Sequence, residues 1–494
     1  MSKIQTLISR IMGISPIQRQ SLISFFWQIA FTAIGFLSTI YFARSVGASI
    51  LGAYFIFLSY TGIFSMVSDG GFGGAAVKRI SEGEEQDAYF TAYFVLLLIF
   101  TSITLIFLLV FREYFIDLNE SGMFVWLILS LLFSVIASSI SIGVNGTGKI
   151  GVRMTCAGMG NISRIIFQVM GIYFGYEVAG LAGGLIAGTL LAAVIEFRFF
   201  DLNFVPFKWK HVKSLSMFSF WLFLTSTGSL VFSQSDTLMI GYYMDNADVG
   251  VYRISLQFTM VATFATYALR NTLWPRVSRW GKNGEIESVQ ASLSNAISYS
   301  LILAVPVLIG GILLGDKLLY LFYGAEFARG YFTLILLMGV QIVNIFQYFF
   351  TMYLDALDNP KESFKVTLVG VVANIVLNAF LIPIMGISGA AIATLVTMVL
   401  NAALAKRALS RLIMIRLKHR NILNIMKASI LMGIFVGVYR LLIPLSNVWV
   451  TLLAVVIGGA IYCFLVLKFD DNVYDEMRNI VEGMGMGGVW PAWL

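Results

Sequence analysis

The feature that most constrains this chain is the recurrence of apolar runs about 20 residues long. A helix of about 20 residues crosses the ~30 Å hydrocarbon core of a bilayer and satisfies its own backbone hydrogen bonds there. Fourteen such runs lie near residues 21–43, 48–68, 88–111, 122–144, 154–176, 178–197, 214–240, 250–272, 291–315, 330–354, 364–385, 387–405, 424–443 and 446–467. The sequence therefore predicts an all-α polytopic membrane protein with about fourteen transmembrane helices.

The residue composition argues against a soluble catalytic domain and a metal centre. The chain is 59% hydrophobic and 12% charged, whereas soluble domains hold about 25% charged residues. Cys156 and Cys463 lie in or beside apolar runs, and His211 and His419 lie in basic segments, so no disulfide framework or metal-ligand spacing arises. The stretch GVNGTGKI at 143–150 has Ile where a phosphate-binding loop needs Ser or Thr. We expect no cofactor.

The positive charges are distributed asymmetrically about the apolar runs. If the N-terminus is cytoplasmic, most of the 33 lysines and arginines fall on the inner side. The exceptions are Arg44, Arg112, Arg253, Lys317, Arg329 and Arg440 in outer segments, and Arg164 and Arg270 within spans. Because Lys and Arg are enriched in cytoplasmic loops, we predict a protein of the cytoplasmic membrane with both termini inside. The net charge of +7 then reflects topology, and we expect no nucleic acid partner.

The first twenty residues differ from the runs that follow. In MSKIQTLISRIMGISPIQRQ, apolar residues recur at helical spacing between Lys3, Arg10 and Arg19, a pattern typical of a helix in the membrane interface. The stretch lacks a short apolar core with a small-residue cleavage site. We expect an interfacial helix and a retained first span.

An internal repeat relates two halves of the chain. Residues 40–54, IYFARSVGASILGAY, align without a gap over residues 238–252, LMIGYYMDNADVGVY, and this pairs Gly52 with Gly250. Repeats in transporters commonly form two lobes with a substrate site near the membrane midplane. The predicted parts are an N-terminal lobe of six helices over 1–205, a C-terminal lobe of six helices with a basic inner linker over 206–421, and two extra helices with a cytoplasmic tail over 422–494.

Three stretches carry a resemblance to a known family. They are FFWQIAFTAIGFLSTIYFARSVGASILGAYFIFLSY (25–60), DTLMIGYYMDNADVGVYRISLQF (236–258) and MYLDALDNPKESFKVTLVGVVANIVLNAFLIPIMGISGAAIATLV (352–396). Over roughly residues 15–465, the chain resembles the Wzx-like flippases of the polysaccharide transporter family, within the multidrug/oligosaccharidyl-lipid/polysaccharide (MOP) exporter superfamily. The resemblance implies a V-shaped fold of two lobes with alternating access. It also implies a polyprenyl (pyro)phosphate oligosaccharide as cargo, moved from the cytoplasmic to the outer leaflet for surface polysaccharide or glycan assembly.

A cargo with an anionic head implies cations inside the membrane. Arg164 and Arg270 lie within apolar runs, whereas Arg44 and Arg253 lie at outer ends of spans, one in each half. A guanidinium holds phosphate through two parallel hydrogen bonds and stays protonated at working pH. We expect these four arginines to bind the head group. Two alternatives stay open: Arg44 and Arg253 could extend to the outer interface, and Arg164 and Arg270 could pair with buried acids.

One carboxylate, Asp236, lies inside the seventh run, in SLVFSQSDTLMIGYY. A charge near the bilayer centre costs at least ~2.5 kcal/mol on insertion scales. Ser229, Ser233 and Gln234 keep this stretch polar. Asp236 could pair with a cavity arginine, bind the H⁺ or Na⁺ that drives return of the empty carrier, or form a fixed ion pair between helices.

A basic segment, KRALSRLIMIRLKHRNILNIMK at 406–427, follows the twelfth run. Its cations stand among apolar residues, which we interpret as an amphipathic helix on the inner surface that attracts anionic lipids. The plainer alternative is a topological anchor without a specific partner.

Three other functions fit parts of the sequence. A multidrug or cation antiporter of the same superfamily shares the fold, but the two deep arginines disfavour cationic drugs. A lipid II type flippase differs only in cargo. A membrane enzyme such as a glycan polymerase or ligase would need acid, base or metal groups on large outer loops, which here are short and hold no histidine. We therefore predict a monomeric transporter and no enzyme, in contact with membrane lipids and with a glycan polymerase or ligase as a possible partner.

Overall fold

The computed structural model describes residues 16–470, 473–475 and 478, and these fold into helices joined by short connections, without a β-strand. The α-helices are α1 (Pro16–Asp69), α2 (Phe72–Ser81), α3 (Gln86–Val110), α4 (Ile116–Glu120), α5 (Phe124–Gly146), α6 (Ile150–Tyr173), α7 (Glu177–Phe197), α8 (Trp209–Tyr243), α9 (Asn246–Asn283), α10 (Ile286–Tyr323), α11 (Ala325–Ala328), α12 (Tyr331–Ala356), α13 (Pro360–Met385), α14 (Ile387–Leu409), α15 (His419–Leu442) and α16 (Val448–Phe469). The all-α prediction is confirmed. The predicted interfacial helix and the C-terminal tail lie largely outside the described residues.

The first two predicted spans both lie in α1. Its 54 residues would measure about 80 Å as a straight helix, far more than the ~30 Å hydrocarbon core. The helix breaks at Gly47, whose φ of 78° lies in the left-handed region that glycine adopts readily. This break falls between the predicted spans 21–43 and 48–68. Each of the other twelve predicted spans coincides with one long helix: α3, α5 to α10 and α12 to α16.

Ten helices of the described chain are long and apolar enough to cross a membrane on length and composition alone. They are α1 from Ala30 onward, α3, α5, α7, α10 and α12 to α16. The other three long helices, α6, α8 and α9, carry Arg164, Asp236, Arg253 and Arg270. Intramembrane charges usually face a protein interior or a hydrated cavity. Four of the five predicted site residues therefore lie on helices outside the most apolar group.

The chain divides into two compact units, Met1–Gly250 and Val251–Leu494. In the first unit, α2, α3 and α8 contribute side chains such as Phe72, Tyr93 and Leu215 to one buried cluster. Helix α8 thus packs within the first unit. The predicted boundary at 205/206 follows the internal repeat and stays a prediction.

The last two helices pack within the second unit. Tyr462 of α16 donates a hydrogen bond of 2.6 Å to the carbonyl of Ile302 on α10. Arg440 of α15 donates to both carboxylate oxygens of Asp316 on α10, at 3.0 and 2.9 Å. The side chains of α10, α12, α15 and α16 share one buried cluster. The pair of helices that the sequence describes as extra is therefore joined to α10 by polar and apolar contacts.

Three connections that the sequence assigns to the inner side meet at one end of the first unit. Lys149, after α5, forms an ion pair with Asp201, after α7. Glu85, after α2, accepts hydrogen bonds from Lys210 at 2.5 Å and from His211 at 3.0 Å. The bond from Lys210, followed by that from His211, lowers the pKa of the Glu85 carboxyl. The connections share one end of the unit, as alternating spans require.

The prediction of one amphipathic helix over 406–427 is wrong. Helix α14 ends at Leu409, residues 410–418 form turns and extended backbone, and α15 begins at His419. Ile413, Ile415 and Leu417 pack on the core of the second unit, whereas the intervening side chains are exposed. This alternation has the period of an extended chain, and packing of the apolar face outweighs the helical propensity of the segment.

The two glycines that the repeat aligns have the same structural requirement. A Cβ on Gly52 would overlap the carbonyl of Asn246 and lie 2.9 Å from the nitrogen of Gly250, and a Cβ on Gly250 would overlap the carbonyl of Ala48. Neither position has room for a side chain.

Candidate functional site

Small residues bring α6 and α7 into backbone contact. On α7 they recur every four residues, which puts them on one face of the helix: Gly180, Gly184, Gly188 and Ala192, followed by Glu196. A Cβ on Gly171 of α6 would lie 2.6 Å from the Cα of Gly180, and a Cβ on Gly160 would lie 2.6 Å from the Cβ of Ala192. Ordinary contacts between carbon atoms are about 3.5–4.0 Å. Glycine is therefore needed where these helices touch, as in other close membrane helix pairs.

Arg164 lies at this interface, deep in the span. It stands about 21 Å along the helix axis from Ile150, the first residue of α6. A Cβ on Gly188 would lie 2.6 Å from the Cβ of Arg164, so glycine at 188 is what lets the base of the arginine rest on α7. The neighbouring close contact at Gly160 keeps the two backbones together on the same face. The position of Arg164 is thus set by backbone packing.

The Arg164 side chain lines a cavity of about 300 Å³ between α5, α6 and α7. The other polar residues of its lining are Ser138, Ser141, Asn161, Thr189 and Glu196. Among the described residues, the buried Nε of Arg164 has no hydrogen-bond partner. Burying a polar group without a hydrogen bond is costly, so this donor is available to a ligand. We call this space the Arg164 cavity.

Glu196 is the acid of the Arg164 cavity. Glu196 is 5% exposed, and its Oε1 has no hydrogen-bond partner in the described part of the chain. Arg153 lies within electrostatic reach of Glu196 and donates from Nε to the Ser141 hydroxyl at 3.0 Å. Arg164 and Glu196 are the two charged residues of the lining, and Arg153, outside the lining, offsets the charge of Glu196, so the surroundings carry one excess positive charge. An anionic group is therefore favoured here over a cationic one.

Gln168 supports the helix that carries Arg164. It lies one turn after Arg164, is 1% exposed, and donates at 2.8 Å both to the Tyr54 hydroxyl of α1 and to the carbonyl of Leu181 on α7. A Cβ on Gly184 would lie 2.5 Å from the Gln168 Cγ. Gln168 thus joins three helices of the first unit and restrains the rotation of α6.

The structure does not bring Asp236 or Arg44 into the Arg164 cavity. Asp236 is buried on α8 between Ser235 and Thr237, with 8% exposure, and it is engaged in a polar or electrostatic interaction. Nearby, Ser59 of α1 donates to the Gln234 side chain of α8 at 2.8 Å. Arg44 is an exposed residue of α1, three positions before the break at Gly47. The sequence suggested that Asp236 could pair with a cavity arginine. The acid that lines the cavity with Arg164 is instead Glu196.

The second unit holds the other two predicted arginines, both on α9. Arg253 is partly buried and Arg270 is exposed, and they stand about 25 Å apart along the helix. Arg270 donates to the Tyr348 hydroxyl at 2.7 Å, and its guanidinium carbon lies 5.1 Å from the centre of the Tyr348 ring and 5.8 Å from that of Trp274. These are distances for cation–π contact. A single phosphate cannot contact both arginines.

Two residues beside the predicted ones were missed at the sequence level: Glu196, which lines the Arg164 cavity, and Tyr348, which accepts a hydrogen bond from Arg270. Glu196 ends the four-residue series of small residues on α7, and that series was the available signal for a helix interface. Tyr348 belongs to the aromatic stretch FQYFF on α12. Nothing in the chain between Arg270 and Tyr348 indicates that they meet.

The profile of the family described as "Polysaccharide biosynthesis protein" matches residues 41–330, more than half of the chain. The chain belongs to this family. The recognition of a polysaccharide exporter from three stretches of sequence is therefore confirmed.

Relatives and solved structures give the same assignment of fold. This member of the family is 26% identical over 469 residues to a Haloferax volcanii protein named "Probable low-salt glycan biosynthesis flippase Agl15", covering 94% of this chain and 98% of that protein. It is similar to the structure titled "Lipid II flippase MurJ, inward closed conformation", with a TM-score of 0.74 at 18% identity, covering 92% of this chain and 99% of the other. It is also similar to an inward-facing multidrug resistance MATE family transporter of the MOP superfamily, with a TM-score of 0.64 at 15% identity, covering 76% and 94%. The chain is a multi-pass membrane protein that has the fold of these transporters, with about fourteen transmembrane helices.

Proposed function

We propose that this polysaccharide biosynthesis protein is a flippase that moves a lipid-linked oligosaccharide from the cytoplasmic to the outer leaflet. The observation that carries the proposal is the Arg164 cavity, which offers a buried, unpaired guanidinium donor among hydroxyl and amide groups. The names of the Haloferax relative and of the lipid II flippase support the same class of cargo.

The chemistry of the cavity suits the head group of such a cargo. A polyprenyl phosphate or pyrophosphate is anionic, and the planar guanidinium of Arg164 can bind it bidentately. Ser138, Asn161 and Thr189 offer groups that exchange hydrogen bonds with sugar hydroxyls. The volume of about 300 Å³ is at the lower end for ligand pockets, so the cavity fits the phosphate with the first sugar. The polyprenyl tail remains in lipid.

The charge of the cavity separates this function from its rivals. A multidrug or cation antiporter shares the fold, but a cation would meet Arg164 in the cavity, while the single acid Glu196 is already offset by the nearby Arg153. A lipid II type flippase presents the same phosphate chemistry, and it differs from our proposal only in the glycan. The related proteins are named as flippases and transporters, and we propose no catalytic reaction.

The remaining features of the function are also proposals. We propose a location in the cytoplasmic membrane with both termini inside, on the asymmetry of Lys and Arg. We propose a monomer that alternates its access and delivers its product to a glycan polymerase or ligase. Coupling to H⁺ or Na⁺ through Asp236 is the driving force that we propose for return of the empty carrier.

The test is flipping in proteoliposomes that contain the purified protein and a lipid-linked oligosaccharide. An external sugar-trimming enzyme reports the rate at which head groups reach the outside. Because a hydrogen bond to a charged group contributes about 1.5–3 kcal/mol, Arg164→Ala should slow flipping roughly ten- to hundred-fold. Arg198→Ala removes the same charge from the exposed end of α7, outside the cavity, and should keep the original rate. Flipping by Arg164→Ala at the rate of the Arg198→Ala control would refute the proposed role of the cavity.

A further inference from the structure

A second cavity, of about 270 Å³, lies in the second unit where α13 begins and α14 ends. Its charged lining residues are Glu362, Lys365, Arg407 and Arg411. Glu362 is paired with Lys365, at 2.6 Å between Oε1 and Nζ. Three cations against one acid leave two positive charges in excess. We call this space the α13–α14 cavity.

The excess charge belongs to Arg407 and Arg411. Both are exposed, and their guanidinium groups form no hydrogen bond and no ion pair with other described residues, while Arg411 lies within electrostatic reach of Glu362. Arg407 lies in the last turn of α14 and Arg411 lies two residues beyond its end, and both side chains line the same cavity, where their like charges repel. An anion between the two guanidinium groups would relieve this repulsion and could accept bidentate hydrogen bonds.

Apolar surface continues from the cations along both helices. Val366, Val369, Leu404 and Ala408 complete the cavity wall. Beyond it, the exposed large hydrophobic side chains include Leu368, Val372 and Val376 on α13 and Val396, Val399 and Leu400 on α14. The two helices approach closely at Gly370, where a Cβ would overlap the Asn401 side chain. A basic pocket at a helix end above an apolar groove is the form of a phospholipid site, with the head group at the interface and the chains in hydrocarbon.

We propose that the α13–α14 cavity binds an anionic phospholipid of the leaflet at that end of the helices. The lipid phosphate contacts Arg407 and Arg411, and the acyl chains lie on the exposed valine and leucine side chains of α13 and α14. A zwitterionic lipid fits less well because its own cation would meet the excess positive charge. This site is separate from the Arg164 cavity and independent of the cargo that the protein moves.

The test measures lipid binding to the purified full chain by native mass spectrometry, with phosphatidylglycerol and phosphatidylcholine as probes. A basic side chain near a membrane surface is worth about five-fold in affinity for anionic lipid. The double variant Arg407→Ala, Arg411→Ala should therefore bind phosphatidylglycerol on the order of 25-fold more weakly. The matched control is Arg416→Ala, Lys418→Ala, which removes two exposed cations from the connection that follows α14, outside the cavity, and should bind normally.

Three outcomes would overturn the proposal. The first is equal binding of phosphatidylcholine and phosphatidylglycerol by the unaltered protein. The second is equal loss of phosphatidylglycerol in the two double variants, because the effect would then be one of general surface charge. The third is selective loss of a polyprenyl phosphate probe, with phosphatidylglycerol binding retained, in Arg407→Ala, Arg411→Ala, since the cavity would then belong to the cargo. Arg164→Ala should leave phosphatidylglycerol binding unchanged, so the two cavities are tested independently.

Discussion

Gly188→Ala should disturb the Arg164 cavity without removing any of its polar groups. The new Cβ would lie 2.6 Å from the Cβ of Arg164, and 2.7 Å from both its Cα and the carbonyl oxygen of Gly160. Two of these three neighbours are backbone atoms, which cannot move aside as the end of a side chain can. Restoring a normal contact requires α6 and α7 to separate by about 1 Å. Overpacking of this kind costs typically ~1–3 kcal/mol.

The expected result has two parts, stability and transport. Gly188→Ala should lower the unfolding temperature of the protein in detergent. It should also slow flipping in proteoliposomes by up to about a hundred-fold per folded molecule, because a displacement of 1 Å at a binding group can cost that much. Gly62→Ala is the matched control: a Cβ on Gly62 has no atom within 4 Å, and alanine favours the helix. Equal unfolding temperatures and equal flipping rates for the two variants would refute the argument that backbone contact positions Arg164.

Three further predictions concern charged residues elsewhere in the chain. Arg440→Ala should lower the free energy of unfolding by roughly 1–2 kcal/mol, between the values for exposed and buried pairs, because Asp316 loses a bidentate partner; an unchanged thermal melt would contradict this. Burial, and then the charge of Glu120, raises the pKa of Asp117, which lies outside the spans, to about 6. The folded state thus binds a proton more readily than the unfolded state, and the stability of the protein should rise as the pH falls from about 6 towards 4. Thermal melts of Asp117→Asn should lose part of that rise, and identical pH profiles for the variant and the unaltered protein would refute this prediction. Asp236→Asn should abolish the dependence of flipping on a proton or sodium gradient, and retained dependence would leave Asp236 with a structural role.

The helices could be predicted from the sequence because hydrocarbon thickness and helix rise together set their length. The fourteen apolar runs correspond to helices, including the pair joined through Gly47 in α1. The segment 410–418 could not be assigned in the same way, because its basic residues suggested a helix while Ile413, Ile415 and Leu417 alternate. Tertiary packing of these three side chains decides the conformation, and an isolated segment contains no information about the surface that it packs on.

The candidate site was predictable only in part. Arg164 could be selected because a cation inside an apolar run is costly to insert into a membrane and usually has a function. Its companion Glu196 lies at the end of a span, where an acid is ordinary, and the four-residue series of small residues was the only sign that it faces α6. The polar contacts of Gln168 with Tyr54, and of Arg270 with Tyr348, join helices that are distant in the chain. Such contacts depend on how helices are arranged, which hydrophobicity and charge do not encode.

The glycine contact between α6 and α7 has a consequence for the synthesis of the protein. An arginine at the centre of a helix raises the free energy of membrane insertion by about 2.5–3.5 kcal/mol, and α6 carries both Arg153 and Arg164. Helix α7 follows after only residues 174–176, and its glycine face conceals one side of α6 from lipid as soon as both are made. We therefore expect α6 to wait in the translocon until α7 emerges, and the two helices to enter the bilayer together as a hairpin.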